Sequence, residues 1–382
     1  MADLLVYRAE GEAVVHGGDL YGFTVTEWRL PATYPPFAAV LFVPTTVIPV
    51  PALKALFLAG NALLLAWVVA LSARLAGRTA PLPLLCAATA LALWLEPVFQ
   101  TLLFGQVNLA VTGLVLWDLT RPPGARAKGL ALGIAAGVKL TPAIFIAYLF
   151  LTARRKEAAT ATASFAGTAL FGALLLPVAT VDFWTRRLFE TGRVGKAWIV
   201  DNQSLQGLVA RATGTAAPGL AWAVPAAVVA ATGLWLATRA HRVHGSESWG
   251  VLLTAFTALL VCPISWSHHW VWCVPLLAVL LAEGRTLLAA TAALVFTART
   301  MWLVPHAGDR DLHLPGWQQL CASPYPLLAS ALLAGAVAAR RRQGRRLRRS
   351  DTPPGSPGAA LPDALPDGSQ PSASSSSASM IR

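Results

Sequence analysis

From about residue 52 to about residue 339 the chain repeats apolar stretches close to membrane-spanning length, joined by short polar turns. Roughly 20 apolar residues are needed to carry a helix across a hydrocarbon layer of roughly 30 Å, and inside that layer every backbone polar group must be bonded internally. The composition agrees, with 55% of the 382 residues hydrophobic and only 13% charged, against roughly a quarter charged in soluble domains. Hydrocarbon, not a water-excluded core alone, must absorb this surface. The expected fold is an all-α integral membrane protein, a polytopic bundle of ten or eleven crossings with a basic tail.

Candidate spans fall at about 52–73, 80–95, 104–119, a composite at 128–153, 157–177, 217–238, 249–264, 269–283, 286–304 and 325–339. Basic residues follow alternate spans: Arg74 and Arg78, then Arg121, Arg126 and Lys128, then Arg154, Arg155 and Lys156, then Arg239 and Arg242, then Arg285, and last the run Arg340 to Arg349. By the positive-inside rule these ends are cytoplasmic. The net charge of +12 is thus a topological signal, and a nucleic-acid partner is not expected because the arginines form no single amphipathic face. The alternation holds only if 128–153 crosses twice, as two short helices broken at Lys139, Leu140, Thr141 and Pro142. Three regions result: 1–51, an extracytoplasmic loop with an interfacial helix at 36–48; 52–339, the bundle, with outer loops at 178–216 and 305–324; and 340–382, a disordered cytoplasmic tail whose arginines suit anionic lipid headgroups or simple stop-transfer anchoring.

The remaining polar residues gather in the expected outer loops. The first loop carries Asp3, Tyr7, Asp19, Tyr21, Glu27 and Tyr34, where a carboxylate is either solvated or held over a cavity as a general base. Gln106 and Asn108 open a span and either cap it or bind substrate. Lys139 at the break needs an anionic partner, which a lipid phosphate or a structural ion pair would supply. The loop 178–216 includes Arg187, Asn202 and Gln203 and reads as a binding loop, with a solvated connector as the alternative. His268 and His269 stand between Trp266 and Trp270; phosphate contact, proton transfer and metal binding are open to them, with metal the weakest because no third ligand has a matching spacing. Cys86, Cys262, Cys273 and Cys321 are far apart and read as core residues.

Six segments in order, DLLVYRAEGEAVVHGGDLYG, YPPFAAVLFVP, FGQVNLAVTGLVLWDL, GIAAGVKLTPAIF, DNQSLQGLVAR and PISWSHHWVW, resemble the polyprenol-phosphate-mannose-dependent α-(1→2)-mannosyltransferases of glycosyltransferase family 87, which belong to the GT-C class. The resemblance implies a membrane glycosyltransferase that moves mannose from a polyprenyl-phosphate donor to a glycolipid or lipoglycan acceptor on the extracytoplasmic face of the plasma membrane. It implies Asp3 as catalytic base and His268 or His269 near the donor phosphate. Direct displacement from a lipid phosphate demands no metal and no cofactor. Arabinofuranosyl transfer from a decaprenyl carrier is a close variant. A lipid or solute transporter is the competing class, but it predicts paired broken helices, and the break at Pro142 has no counterpart in the second half. Family members carry a helix before the aspartate, whereas here Asp3 stands two residues from the start; the expectation is a misassigned start and a full protein one helix longer.

Overall fold

The computed structural model describes the backbone of residues 1–350 and the side chains of 1–338. Residues Met1–Val337 form one compact unit, helical except for a small ribbon. In order they are α1 (Ala2–His16), an antiparallel pair β1 (Thr24–Val25) and β2 (Leu30–Pro31), α2 (Pro36–Phe42), α3 (Val50–Leu75), α4 (Leu82–Ala92), α5 (Glu96–Phe104), α6 (Asn108–Leu119), α7 (Leu130–Val138), α8 (Ala143–Leu151) and α9 (Arg155–Leu175). There follow α10 (Pro177–Thr185), α11 (Leu205–Thr213), α12 (Leu220–Arg242), α13 (Glu247–Val261), α14 (Cys273–Ala282), α15 (Thr286–Thr297), α16 (Gly316–Ala322) and α17 (Pro324–Ser350). Prolines sit in the first turn of α2, α3, α4, α5 and α10, where the missing N–H would have had no helical partner anyway.

Among the described residues four helical stretches are long and apolar enough to cross a membrane: α3, α9, α12 and Thr286–Leu303, which is α15 and the turn after it. Counting each of two sharply bent pairs as one span gives six: α4 with α5, bent by 79°, and Gly316–Ala322 with Pro324–Ala338, bent by 83°. The long helices leave large side chains such as Leu63, Leu174, Leu220 and Leu287 exposed, a surface suited to lipid and not to water. By contrast every residue of α13 from Gly250 to Leu260 is buried, so α13 is the central post. Several stretches expected as loops are helical. Residues 96–103 are α5; the first loop opens with α1; and the outer loops contain α10, α11 and α16. The helix of α17 runs on to Ser350, and residues 351–382 of the expected tail lie outside the described residues.

The composite segment breaks where expected, at Lys139–Pro142 between α7 and α8. Its direction follows from how α7 meets α9. A side chain added at Gly129 would strike Glu157, one at Gly133 would strike Ala161 and Ser164, and one at Gly137 would strike Thr168. Both sets of numbers rise together, so α7 and α9 run parallel. The chain between them must return, and α8 is the return leg of a hairpin with its tip at the break. Nine residues in each arm reach about 14 Å at 1.5 Å per residue, so each arm goes only part of the way across. The chain nevertheless returns to the end it left, because Lys128 before α7 pairs with Glu157 at the start of α9, 3.7 Å apart. The buried Asp118 of α6 accepts from the Gly129 and Leu132 amides at 2.9 and 3.0 Å, satisfying donors that the start of α7 would otherwise leave unpaired.

Side-chain bonds tie the predicted basic ends to one another. Arg78 reaches the Ala282 carbonyl; Arg154 pairs with Glu247 at 2.8 Å; His241 meets the same carboxylate; Trp249 donates to Glu283; and Arg285 pairs with Glu283. With the Lys128–Glu157 pair, the turns at 74–78, 121–128, 154–157, 239–247 and 283–285 form linked groups in keeping with a common face. The expected outer segments bond to one another in the same way: Asn202 bridges to Trp266, Asp201 accepts from the Ser267 amide, Arg211 donates to Ser323, and Glu96 accepts from Trp302 and Tyr325.

Candidate active site

Five elements converge at one end of the bundle: the start of α1, the turn before α2 that carries Tyr34, the α5–α6 turn, the tip of the α7–α8 hairpin, and a 3₁₀ turn at Ser267–Trp272. Gly105 makes the first approach possible. It adopts φ +70° as the C-cap of α5, a conformation that favours glycine, and a Cβ there would meet Leu4 at 3.0 Å and Met1 at 3.3 Å. The next residue, Gln106, thereby comes under α1. Its side-chain carbonyl accepts from the Tyr7 hydroxyl at 2.8 Å and the Tyr34 hydroxyl at 3.1 Å. With the carbonyl so occupied, the amide end of Gln106 is the part that acts on Asp3, favouring its ionised form.

Asp3 lies in the first turn of α1, where the helix dipole favours a negative charge. Burial dominates over this, pushing its carboxyl up from the usual range to about 6, while the Gln106 hydrogen bond and the Lys139 charge hold it from rising further. A carboxylate so tuned is ionised at neutral pH and basic enough to take a proton. The half-buried Asp201, its carboxyl also raised by desolvation, acts on Asp3 in the same upward direction.

Lys139 is held at the hairpin tip by two acceptors. Its ammonium donates to Asn108 Oδ1 at 2.8 Å and meets His269 Nε2 at 3.0 Å, with the Tyr34 ring 5.5 Å away. An ammonium has three donors, so one is left for a ligand. Lys139, Asn108 and His269 line one part of a partly open cavity, whose other walls are largely apolar, with Val111, Val115, Phe145, Leu259 and Trp272. His268 is buried, and both its ring nitrogens lack a hydrogen-bond partner; its carbonyl accepts from Thr101 and Asn108. Its ring packs edge-on against His269, 4.8 Å between centroids.

The structure therefore brings together Asp3, Tyr34, Gln106, Asn108, Lys139, His268 and His269 from five elements. Three residues expected with them are used otherwise. Asn202 spends its side chain on the Ala197 and Pro263 carbonyls and the Ser204 and Ser265 amides. Gln203 is bonded to Val200, Ala322 and Tyr325. Both are completely buried, so they staple the 3₁₀ turn and α17 to the loop, and no polar atom is left to meet a sugar. Arg187 pairs with Asp182 at 2.7 Å and Glu190 at 3.2 Å within its own segment. Tyr7, Glu10 and Asp201 are additional residues beside the site. The signal for two of them was their spacing from Asp3, i+4 and i+7, one face of a helix. No three His, Cys, Asp or Glu side chains gather as a metal set among the described residues.

A family model described as glycosyltransferase family 87 matches residues 32–263, which spans the α5–α6 turn and the hairpin tip. A polyprenol-phosphate-mannose-dependent alpha-(1-2)-phosphatidylinositol mannoside mannosyltransferase of Mycobacterium tuberculosis is 33% identical, over 92% of this chain and 88% of its own. The protein of the same description from Mycolicibacterium smegmatis is 30% identical over 92% of this chain and 87% of its own. A polyprenol-phosphate-mannose-dependent alpha-(1-2)-phosphatidylinositol pentamannoside mannosyltransferase of M. tuberculosis is 36% identical over 72% of this chain and 65% of its own. No solved structure matches. The chain belongs to glycosyltransferase family 87, and it is a glycosyltransferase of the membrane.

Proposed function

We propose that the chain transfers mannose from polyprenyl-phosphate mannose to a hydroxyl of a mannosylated phosphatidylinositol, with Asp3 as base and the Lys139 cavity as the donor site. The observation that carries this is the division of the cavity, a cationic Lys139 beside apolar walls. A lipid phosphate has that division, an anionic head on an isoprenoid chain. The spare Lys139 donor takes a phosphate oxygen, Asn108 and His269 fix the ammonium, and His268 offers unpaired ring nitrogens to the same region.

In the reaction Asp3 removes the proton of the acceptor hydroxyl as its oxygen bonds the anomeric carbon. The bond from that carbon to the phosphate oxygen breaks, and the electron pair leaves with the lipid phosphate. One displacement inverts the anomeric centre. Positive charge placed before the reaction, where negative charge develops on the leaving group, lowers the barrier without reorganisation. Lys139 attracts Asp3 as well as the phosphate, which keeps the base ionised and links the two halves of the site.

The linked basic turns support a cytoplasmic arginine-rich face and an active site on the outer side. The shorter apolar helices, α6, α13 and α14, then complete a GT-C bundle of about eleven crossings in which the α7–α8 hairpin counts twice. The partition into an outer catalytic region 1–51, a bundle 52–339 and a basic tail belongs to the same reading. The test is transfer from radiolabelled polyprenyl-phosphate mannose to phosphatidylinositol mannosides by the purified chain in liposomes. Activity in the intact chain that disappears in Asp3→Asn and Lys139→Met supports the assignment. Undiminished transfer in Asp3→Asn refutes Asp3 as base.

A further inference from the structure

Arg299 stands inside the stretch Thr286–Leu303, which is long and apolar enough to cross a membrane. The stretch begins beside Arg285, among the basic turns, so Arg299 lies near its other end, on the side of the active site. A cation in such a place needs an anionic partner. Among the described residues none is found: no hydrogen bond or ion pair reaches its guanidinium, which lies over the Phe99 ring, 4.2 Å from the centroid. The residue is half-buried and its nitrogens reach the surface, so a ligand has access to them.

The backbone here is held in a costly conformation. Arg299 adopts φ +53° and ψ +32° ahead of the 3₁₀ turn Thr300–Leu303, a region that favours glycine. Such strain in a non-glycine residue points to a function for its side chain. The surface around it is apolar: Phe99 and Leu103 of α5 are 40% and 50% exposed, Trp94 just before α5 is 72% exposed, and Leu303 is 79% exposed. Helix α5 turns by 79° from the line of α4. A helix so turned, with an exposed apolar face, suits the boundary between headgroups and acyl chains. Its far end is the active site. Phe99 is six residues from Gly105, about 9 Å along the helix, and a Cβ at Gly105 would meet Met1 and Leu4, on either side of Asp3.

An unpartnered guanidinium at the edge of an apolar face matches a phospholipid, whose phosphodiester sits over its acyl chains. We propose that Arg299 and the exposed face of α5 dock the phospholipid part of the acceptor, the guanidinium holding its phosphodiester while the sugar head reaches Asp3. The inference rests on the transferase reading above. It gives the two lipid phosphates separate cations, Lys139 for the donor and Arg299 for the acceptor.

The test uses the full chain in nanodiscs of zwitterionic phosphatidylcholine, labelled polyprenyl-phosphate mannose, and two acceptors. One is a phosphatidylinositol mannoside; the other is an alkyl glycoside with the same mannosyl-inositol head and no phosphate. Affinity is read as KM, or as an inhibition constant for an acceptor that is not turned over. The wild-type chain should prefer the phospholipid on the order of tenfold, as a charge-assisted contact implies. Arg299→Gln should erase that preference by raising KM for the phospholipid alone, with KM for the donor unchanged. Arg299→Lys, which keeps the charge, should retain a preference of at least about threefold. Arg299→Gly, free of the backbone strain, should repeat the Arg299→Gln pattern and carries the test if Arg299→Gln does not fold. An arginine that only anchors the chain among bulk headgroups, or only supports the fold, predicts equal effects on both acceptors or none, and either result overturns the docking surface. Absence of transfer to the phospholipid by the wild-type chain overturns the transferase reading and the docking surface with it.

Discussion

Replacing Gln106 by Leu should move the acid limb of the pH–rate profile upward. As the proposed base, Asp3 works only as the carboxylate, and burial pushes its carboxyl up to about 6. In the wild-type chain kcat/KM for the acceptor is therefore flat above about pH 7 and falls about tenfold per unit well below 6. Gln106 bonds the ionised form, so it lowers this value, against the larger effect of burial. A hydrogen bond to a charged group is worth about 1.5–3 kcal/mol, and one pH unit corresponds to about 1.4 kcal/mol. Its loss shifts the limb up by about one to two units, to about 7–8. At pH 7 the variant should lose up to about tenfold, and most of that should return by pH 9. Tyr34→Phe removes a bond to the Gln106 carbonyl and leaves the amide end in place, so its limb should stay near 6. A Gln106→Leu profile that drops uniformly at every pH, with the limb unmoved, would refute the reasoning and leave Gln106 as a mere clasp for Tyr7 and Tyr34.

Asp3→Asn should abolish transfer by at least about a hundredfold and raise the melting temperature in detergent at pH 7. The folded carboxyl titrates above its ordinary value, so ionised Asp3 opposes folding above about pH 6, and the gap between variant and wild type should close as pH falls towards 4. At Gly137 a Cβ would sit 2.1 Å from Thr168 Oγ1; Gly137→Val should therefore destabilise by about 1–3 kcal/mol, partly restored by Thr168→Ala, as read by thermal unfolding. Arg187→Ala breaks partly exposed ion pairs worth at most about 1 kcal/mol, and the KM for the donor should stay within about twofold.

The membrane fold was legible because its two strongest constraints are written locally. Lipid demands apolar length, and topology demands basic residues at alternate ends; the contacts from Arg78, Lys128, Arg154 and Arg285 realise that alternation in three dimensions. The break at Pro142 was legible for the same reason, since a proline and a lysine in mid-segment have no place in a lipid-facing helix. The direction of the hairpin was not legible. It depends on which helix the Gly129, Gly133 and Gly137 edge meets, and only the rising register against α9 decides that. Helices α5, α10, α11 and α16 were missed because short helices packed against a bundle need no apolar stripe of spanning length.

At the site, the sequence supplied residue types but could not say which polar groups had already been used. Asn202 and Asn108 are the same side chain near the same face of the protein. Asn202 has every polar atom bonded to the fold, whereas Asn108 lends its oxygen to the one lysine that borders the cavity. Function follows from what remains unsatisfied after folding, and that remainder is a property of three-dimensional packing. Reading residues 1–23 as a loop concealed the other half of the argument. Once they are a helix, the spacing of Asp3, Tyr7 and Glu10 becomes a row of polar groups leading away from the base. Tyr7 is hydrogen-bonded to Gln106 and Tyr34, and Glu10 is buried with neither carboxylate oxygen bonded.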